Sequence, residues 1–296
     1  TAADQHTLIL TIHHAITDGW STPPLIATLL RAYNNPTTPA LPDTTYPSFL
    51  NWLTHHDHTT SLDTWTTALA DVTEPTLIAT TNTATTNTAT TDTAQPIELT
   101  HTIDPTLTHQ LRTLARTHST TLNSVIHTAW ALTLNAITGQ PTITFGTTVS
   151  GRPAHIDGIE NAVGMFLNTI PTPAHLGHNP TVAELLDQIH HHNTTVLDHH
   201  HTPLPDLHHL TGLPALFDTL LVYENYPLDD DTDTHHDLAL TSVDIHDSTH
   251  YPLTLGILPT PTHITIELSY QPHRITHHTI TTLTTLLDTA LHTLAT

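Results

Sequence analysis

The chain has 296 residues, enough to bury a sizeable core as one large domain or two smaller ones, and 37% of them are hydrophobic. Its formal charge is −22 with histidine neutral, or about −15 with a quarter of the histidines protonated, which excludes nucleic acid and anionic membranes as partners. The composition contains no cysteine, which excludes disulfides, thiol nucleophiles and thiolate metal sites and is typical of a cytoplasmic protein.

The first predicted element is the apolar, β-branched run TLILTI at 7–12, which predicts a buried strand. Ser21 is a predicted helix N-cap, and the prolines at 23–24 fit the first helical turn, where their missing N–H groups cost little. This helix is expected to end near the NNP at 34–36, and two short helices are expected within 46–71.

Residues 81–95 are threonine-rich and of low complexity, which predicts a flexible linker and a boundary between two parts of the chain. Strands and helices interleave beyond it, which is typical of an α/β or α+β protein with mixed sheets. The predicted helices are 106–118, 122–137 (stopped by Gly139), 181–200 and a final one with an apolar face over 280–294; the predicted strands are 142–149, 217–223, 238–245 and 262–270, and 150–162 is a predicted loop.

The sequence HHAITDG at 13–19 follows the first predicted strand and places two histidines, an acid and a glycine in one corner. A histidine near a carboxylate suits proton transfer at neutral pH, and a glycine allows a substrate to approach the backbone. The alternative is a corner histidine that packs against the core, with Asp18 as an ordinary turn residue. The short pattern alone leaves both interpretations open in a chain with 30 histidines.

The longer sequence HHAITDGWS at 13–21 resembles the signature of condensation domains of nonribosomal peptide synthetases. Four further segments resemble the family in the same order: SGRP at 150–153, VGMFLNTIP at 163–171, FDTLLVYENYP at 217–227 and HYPLTL at 250–255. The resemblance extends over essentially the whole chain.

The resemblance implies a two-lobed α/β fold like that of chloramphenicol acetyltransferase, with mixed sheets and a tunnel between the lobes. Residues 1–80 would form the C-terminal part of the first lobe, 81–95 the linker and 96–296 the second lobe. The first third of the family pattern is missing from this sequence, so the first lobe is expected to be incomplete. We therefore expect the chain alone to expose apolar surface and to turn over poorly.

The resemblance also implies the chemistry, in which a carrier-bound aminoacyl amine attacks a carrier-bound peptidyl or acyl thioester. His14 would be the catalytic residue, next to His13, and would act as a general base or by positioning the amine. Asp18 would be a structural acid held by Arg152, and Gly19 would line the approach to the tunnel. The implied tunnel candidates are Trp20, Ser21, Asn168, His250 and Tyr251.

No bound cofactor is implied, because the substrates are carried on the 4'-phosphopantetheine of partner carrier domains. The implied partners are an upstream donor carrier, a downstream acceptor carrier and an adjacent adenylation domain, with no nucleic acid and no membrane. The histidine runs at 190–192 and 199–201 raise the alternative of a zinc site. They follow the general histidine enrichment, so no metal site is predicted.

Alternatives within and outside the family stay open. The segments 18–33, 74–78 and 250–255 resemble the subtype that follows an upstream epimerization domain and accepts a D-configured donor. An epimerization domain shares the paired histidines but usually lacks the glycine and tryptophan that follow Asp18 here. A different class of function is a catalytically inactive module that serves as a docking platform for carriers or tailoring enzymes.

Overall fold

The computed structural model describes residues 6–34, 45–79, 95–224 and 249–296. The predicted strand at 238–245 and almost all of the predicted linker at 81–95 lie outside these residues. The described helices are α1 (Thr22–Asn34), α2 (Thr45–His55), α3 (His58–Ala68), α4 (Pro105–Thr117), α5 (Leu122–Thr138), α6 (Val182–Thr195), α7 (Leu204–Thr211) and α8 (His277–Leu294). The described strands are β1 (Ile97–Ile103), β2 (Thr142–Val149), β3 (Asn168–His175), β4 (Thr219–Tyr223), β5 (Leu253–Pro259) and β6 (Ile264–Tyr270).

The strands form one mixed sheet in the order β1-β6-β5-β4-β2-β3. The pairs β1/β6, β5/β6 and β2/β3 are antiparallel, whereas β4 is parallel to both β2 and β5. A mixed sheet interleaved with helices confirms the predicted α/β class. The main core lies between this sheet and helices α4, α5, α6 and α8, and it contains Leu111, Trp130, Phe145, Leu255 and Leu287.

The described residues cluster into two compact units that interleave along the chain. The first unit contains 6–34, 45–56 and 150–167; the second contains 57–79, 95–149, 168–224 and 249–296. This partition differs from a linear division at 81–95, because the loop at 150–167 packs on α2 within the first unit. The lobes assigned by resemblance stay a prediction.

The buried strand predicted at 7–12 is wrong. These residues have no regular secondary structure, and their side chains are exposed, with Ile9 at 84%. A strand is stable only when its backbone groups pair with a neighbour. In the described part of the chain, no strand pairs with this run.

The helix predicted at 181–200 is shorter than expected. The helix α6 ends at Thr195, and a short 3-10 turn at Leu197–His199 follows it. The residues before this turn, Asn193 to Val196, have low helix propensity because they are β-branched or compete for backbone hydrogen bonds. Helices α4 and α5 and strands β2, β4 and β6 confirm their predictions to within a few residues, and Gly139 ends α5 in the left-handed region at φ 71°.

The abundant threonines satisfy their own hydroxyls along the helices. In α8 the hydroxyls of Thr281, Thr285, Thr289 and Thr293 each donate to the carbonyl four residues earlier. This local pairing lets an exposed helix face be polar without charge. In the described residues, no helix is long and apolar enough to cross a membrane.

Candidate active site

The paired histidines lie in an exposed turn of the first unit. The N–H of Ile16 donates to the His13 carbonyl at 3.1 Å, and the N–H of Ala15 donates to the His13 Nδ1 at 3.0 Å. Because His13 Nδ1 accepts this bond, the ring proton of neutral His13 lies on Nε2. The neighbouring His14 side chain is exposed, so a reacting group can approach its ring from solvent.

Four residues later the chain becomes buried at Asp18, whose exposed fraction is 3%. Its Oδ1 accepts from the Ser21 N–H at 2.9 Å, the Ser21 hydroxyl at 2.8 Å and Arg152 Nη2 at 2.9 Å. Its Oδ2 accepts from the N–H groups of Phe166 at 3.0 Å and Leu167 at 3.3 Å. Five donors therefore fix this carboxylate, which makes Asp18 the anchor of the histidine turn within the first unit.

Both terminal nitrogens of Arg152 are hydrogen-bonded within the first unit. Besides the ion pair with Asp18, its Nη1 donates to the carbonyls of Ile159 at 2.6 Å and Ala162 at 2.9 Å. The guanidinium carbon lies 4.0 Å from the centre of the Phe166 ring. A planar, permanently charged group suits this combination of several directed hydrogen bonds and stacking on a ring, which lysine cannot reproduce.

The three residues after Asp18 form a 3-10 turn, Gly19–Ser21, and α1 begins at Thr22. Ser21 has an exposed fraction of 0%, and its hydroxyl donates to Asp18 and to the Gly164 carbonyl and accepts from the Gly164 N–H. This side chain therefore belongs to the Asp18 network rather than to an open surface. Gly19 and Trp20 are half-buried.

Two glycines allow the loop at 150–167 to reach this network. Gly151 has φ 59°, and an added Cβ would collide with the Phe166 carbonyl. An added Cβ on Gly164 would collide with the Tyr46 ring. These close approaches explain why glycine is needed at both positions.

The loop rests on an aromatic cluster that comes from α2. Phe166 packs edge-on against Tyr46, with ring centroids 5.1 Å apart, and against Phe49 at 4.9 Å. The Phe166 backbone N–H thus reaches Asp18 while its side chain lies against α2. The backbone role of Phe166 and the close approach of Gly164 were not predicted, because neither is visible in a pattern of side-chain types.

The remaining tunnel candidates lie in the second unit. Asn168 begins β3, and its amide nitrogen donates to the carbonyls of His200 at 2.8 Å and Thr202 at 2.7 Å. Tyr251 stacks on Phe217 with centroids 5.7 Å apart, and burial raises the pKa of its phenol. The two hydrogen bonds of Asn168 link the first residue of β3 to the turn at 200–202.

His250 is exposed and lies 4.3 Å from the Tyr251 ring, centroid to centroid. In the part of the chain that the structure describes, no group of three or more histidine, aspartate or glutamate side chains is arranged to hold a metal ion.

Comparison with known proteins decides the family. The family model described as Condensation domain matches residues 1–296. The chain belongs to the condensation-domain family. The motifs that meet in the first unit, at 13–21 and 150–167, are therefore those of a condensation domain.

Curated relatives of this condensation domain are far longer than the chain. Chondramide synthase cmdD from Chondromyces crocatus is 30% identical over 285 residues, which cover 93% of this chain and 7% of that protein. Vanchrobactin synthetase VabF from Vibrio anguillarum is 33% identical over 259 residues, which cover 86% of this chain and 9% of that protein. The chain thus spans less than a tenth of either relative.

Solved structures share the fold of this condensation domain. The first condensation domain of the calcium-dependent antibiotic synthetase, in complex with a substrate analogue, superposes with a TM-score of 0.71 at 16% identity, over 96% of this chain and 63% of that chain. A four-domain nonribosomal peptide synthetase bound to AMP and glycine superposes with a TM-score of 0.75 at 16% identity, over 96% of this chain and 23% of that chain. The expected fold family is confirmed.

Proposed function

We propose that this condensation domain forms peptide bonds between two carrier-bound substrates. The amine of an aminoacyl thioester attacks the carbonyl carbon of a peptidyl or acyl thioester, so a carbon–nitrogen bond forms and the carbon–sulfur bond breaks. The proton lost by the amine ends on the departing thiol. No covalent bond to the protein is needed at any step.

The observation that carries this proposal is the anchoring of the turn at 13–18. One end of the turn holds the exposed ring of His14, and the other is fixed by five donors to Asp18. A catalytic group acts well only when its backbone is held in place, and here a buried ion pair holds it. We assign catalysis to His14 and positioning to Asp18, Arg152 and Ser21.

The tetrahedral intermediate of this reaction carries a cationic nitrogen and an oxyanion. An imidazole beside the nitrogen can accept its proton or orient it by a hydrogen bond, and either role lowers the barrier. His13, whose Nδ1 is occupied by the Ala15 N–H, shapes the turn and offers only Nε2–H to a neighbour.

The proposed partners are the domains that usually occur beside condensation domains. Condensation domains of nonribosomal peptide synthetases work beside carrier and adenylation domains in multidomain chains, and the long relatives fit that arrangement. We propose a donor carrier and an acceptor carrier, each with its substrate on 4'-phosphopantetheine, and an adjacent adenylation domain. The D-donor subtype, an upstream epimerization domain and the cytoplasmic location stay predictions.

The test uses the full-length natural protein that contains this chain, with donor carriers loaded with either D- or L-peptidyl thioesters. Product with a loaded acceptor carrier supports the proposal, and a preference for the D-donor supports the subtype. Carrier binding with no product from either donor would instead indicate a docking module. Conversion of the donor's stereocentre without amide formation would indicate an epimerization domain.

A further inference from the structure

Tyr46, the second residue of α2, lies against the two loop residues whose backbone reaches the Asp18 network. The backbone of Gly164 is so close to the Tyr46 ring that an added Cβ would collide with it. The Phe166 ring packs edge-on against the same tyrosine, with centroids 5.1 Å apart. All of these residues belong to the first unit. The Tyr46 ring therefore limits how closely the loop backbone at 164–166 can approach α2.

The same loop backbone makes three hydrogen bonds to the residues that follow the paired histidines. The Asp18 N–H donates to the Gly164 carbonyl at 3.2 Å. The Gly164 N–H donates to the Ser21 hydroxyl at 3.0 Å, and the Phe166 N–H donates to the Asp18 Oδ2 at 3.0 Å. The backbone that Tyr46 contacts is thus also the backbone that fixes Asp18 and Ser21.

These hydrogen bonds depend on the position of the loop. N–H···O bonds weaken when the two heavy atoms move away from a separation of about 2.9 Å. Asp18 and Ser21 are buried, so solvent does not replace a lost partner. A loop that moved into the space left by a smaller side chain at Tyr46 would weaken them. His14, four residues before Asp18, would then lose its fixed backbone.

A second chain of contacts leads from Tyr46 to Asp18 through side chains. The Phe166 ring, which packs on Tyr46, also lies 4.0 Å from the guanidinium carbon of Arg152. Arg152 Nη2 donates to the Asp18 Oδ1 at 2.9 Å. Both oxygens of the carboxylate are therefore held by groups whose position depends on the packing of Phe166.

Tyr46 contributes less to the core than its neighbour on α2. Phe49 is 6% exposed and belongs to the buried core of the first unit, whereas Tyr46 is only half-buried. Apolar side chains stabilise a fold in proportion to the area that they bury. Variants of Tyr46 are therefore expected to fold, which allows its effect on the site to be measured.

We propose that Tyr46 is a positioning residue for His14. Its ring holds the loop at 150–167 against Asp18 and Ser21, and these two residues hold the turn that carries the imidazole. The proposal rests on the proposed function of His14 and adds a residue from α2 that acts through Asp18 and not on the substrate. A catalytic group displaced by about 1 Å can lose about 10²-fold in rate.

The test measures single-turnover amide formation in the full-length natural protein. At saturating loaded carriers, we expect Tyr46→Leu to lower the rate by about 10- to 100-fold, with an unchanged carrier concentration at half-saturation. Tyr46→Phe keeps the ring and is expected to keep the wild-type rate. The control Tyr33→Leu, at a position in the first unit that is 62% exposed, should also keep it. A wild-type rate for Tyr46→Leu, or an equal loss in Tyr46→Phe, would overturn the proposal.

A double-mutant cycle with His14→Ala separates positioning from a general loss of structure. Because Tyr46 is proposed to act through His14, Tyr46→Leu should lower the rate little further once His14 is alanine. The same fold-loss in both backgrounds would overturn the proposal, since the effect would then bypass His14.

Amide exchange of the same variants needs no turnover. Peptides from 13–21 are expected to exchange faster in Tyr46→Leu and as in the wild type in Tyr46→Phe. Unchanged exchange in Tyr46→Leu would overturn the proposal. Failure of the proposed function has a different signature, which is no product from the wild type or a wild-type rate for His14→Ala.

Discussion

The buried ion pair makes Asp18→Asn the most informative perturbation of the proposed site. The substitution removes the negative charge opposite Arg152, whose side chain is only 5% exposed. It also replaces one acceptor oxygen by an amide nitrogen, so donors such as the Phe166 and Leu167 N–H groups lose an acceptor. An uncompensated buried charge costs about 3–5 kcal/mol, which we expect as the loss in local stability of the first unit.

Amide hydrogen exchange measures this loss segment by segment. A destabilisation of that size corresponds to exchange faster by about two to four orders of magnitude in peptides from 13–21 and 150–167. Peptides from β5 and β6, in the second unit, are expected to exchange as in the wild type. Unchanged exchange at 150–167 would refute the assignment of Asp18 as the anchor.

The matched control for this prediction is Asp288→Asn. Asp288 faces His101 at 3.4 Å, but its side chain is 41% exposed. Exposed pairs contribute about 0–1 kcal/mol, so exchange around this position is expected to change less than tenfold. Equal effects of the two substitutions would show that burial is not what makes the Asp18 pair strong.

Three further predictions concern stability. Burial lowers the folded-state pKa of His127 to about 3 and of His192 and His200 to about 4 from 6.5, so the unfolded state binds more protons and stability falls as pH drops below 6.5. At pH 5 the free energy of unfolding is expected to be lower by about 2 kcal/mol for each of these rings. Urea unfolding as a function of pH should therefore show a weaker pH dependence for His127→Leu than for the wild type. The control His109→Leu, at an exposed position, should keep the wild-type pH dependence. Gly164→Ala should lower the free energy of unfolding in urea by about 1–3 kcal/mol, because the added Cβ collides with the Tyr46 ring. Gly256→Ala, whose added Cβ would make only ordinary contacts, should lower it less. Equal losses would show that the collision with Tyr46 does not cause the effect. The N–H groups of Ile78 and Ala79 donate to the Asp218 carboxylate at 2.8–3.0 Å. Asp218→Leu should therefore lower the free energy of unfolding by about 1–3 kcal/mol and speed amide exchange at these two N–H groups. Unchanged protection of the two groups would show that Asp218 does not hold this segment.

Local signals predicted the helices that carry clear punctuation. The run at 122–137 has helical spacing and a following glycine, and α5 ends at that glycine. Strand β3 was missed because Pro171 and Pro173 lie within it. Proline is tolerated there because, among the described strands, β3 lies at the edge of the sheet and pairs only with β2.

The apolar run at 7–12 was predicted as a strand but does not form one. Its composition is typical of a strand, but a strand also needs a second strand to pair with, and the composition of one segment does not show whether that partner is present. The end of α6 was predicted too late, because the helix stops where the residues become β-branched and not at a glycine or proline.

The site could be predicted only in part. The pairing of Asp18 with Arg152, 134 residues apart, followed from family resemblance and not from spacing. The contributions of the Phe166 N–H and the Gly164 backbone depend on how two distant loops meet, which no local pattern contains. Ser21 was expected at a tunnel and as a helix cap. It directly precedes α1 as expected, but its hydroxyl bonds to Asp18 and Gly164.

The most direct test of the central claim is single-turnover amide formation with His14→Ala in the full-length natural protein, at saturating loaded carriers. We expect the rate to fall by about 10²–10⁴-fold, the range for a positioned acid–base group, with unchanged carrier binding and unchanged exchange at 150–167. His118→Ala, at an exposed position in the second unit, should retain the wild-type rate. Wild-type turnover by His14→Ala would contradict the account, because peptide-bond formation would then not depend on the residue that the Asp18 network is proposed to position.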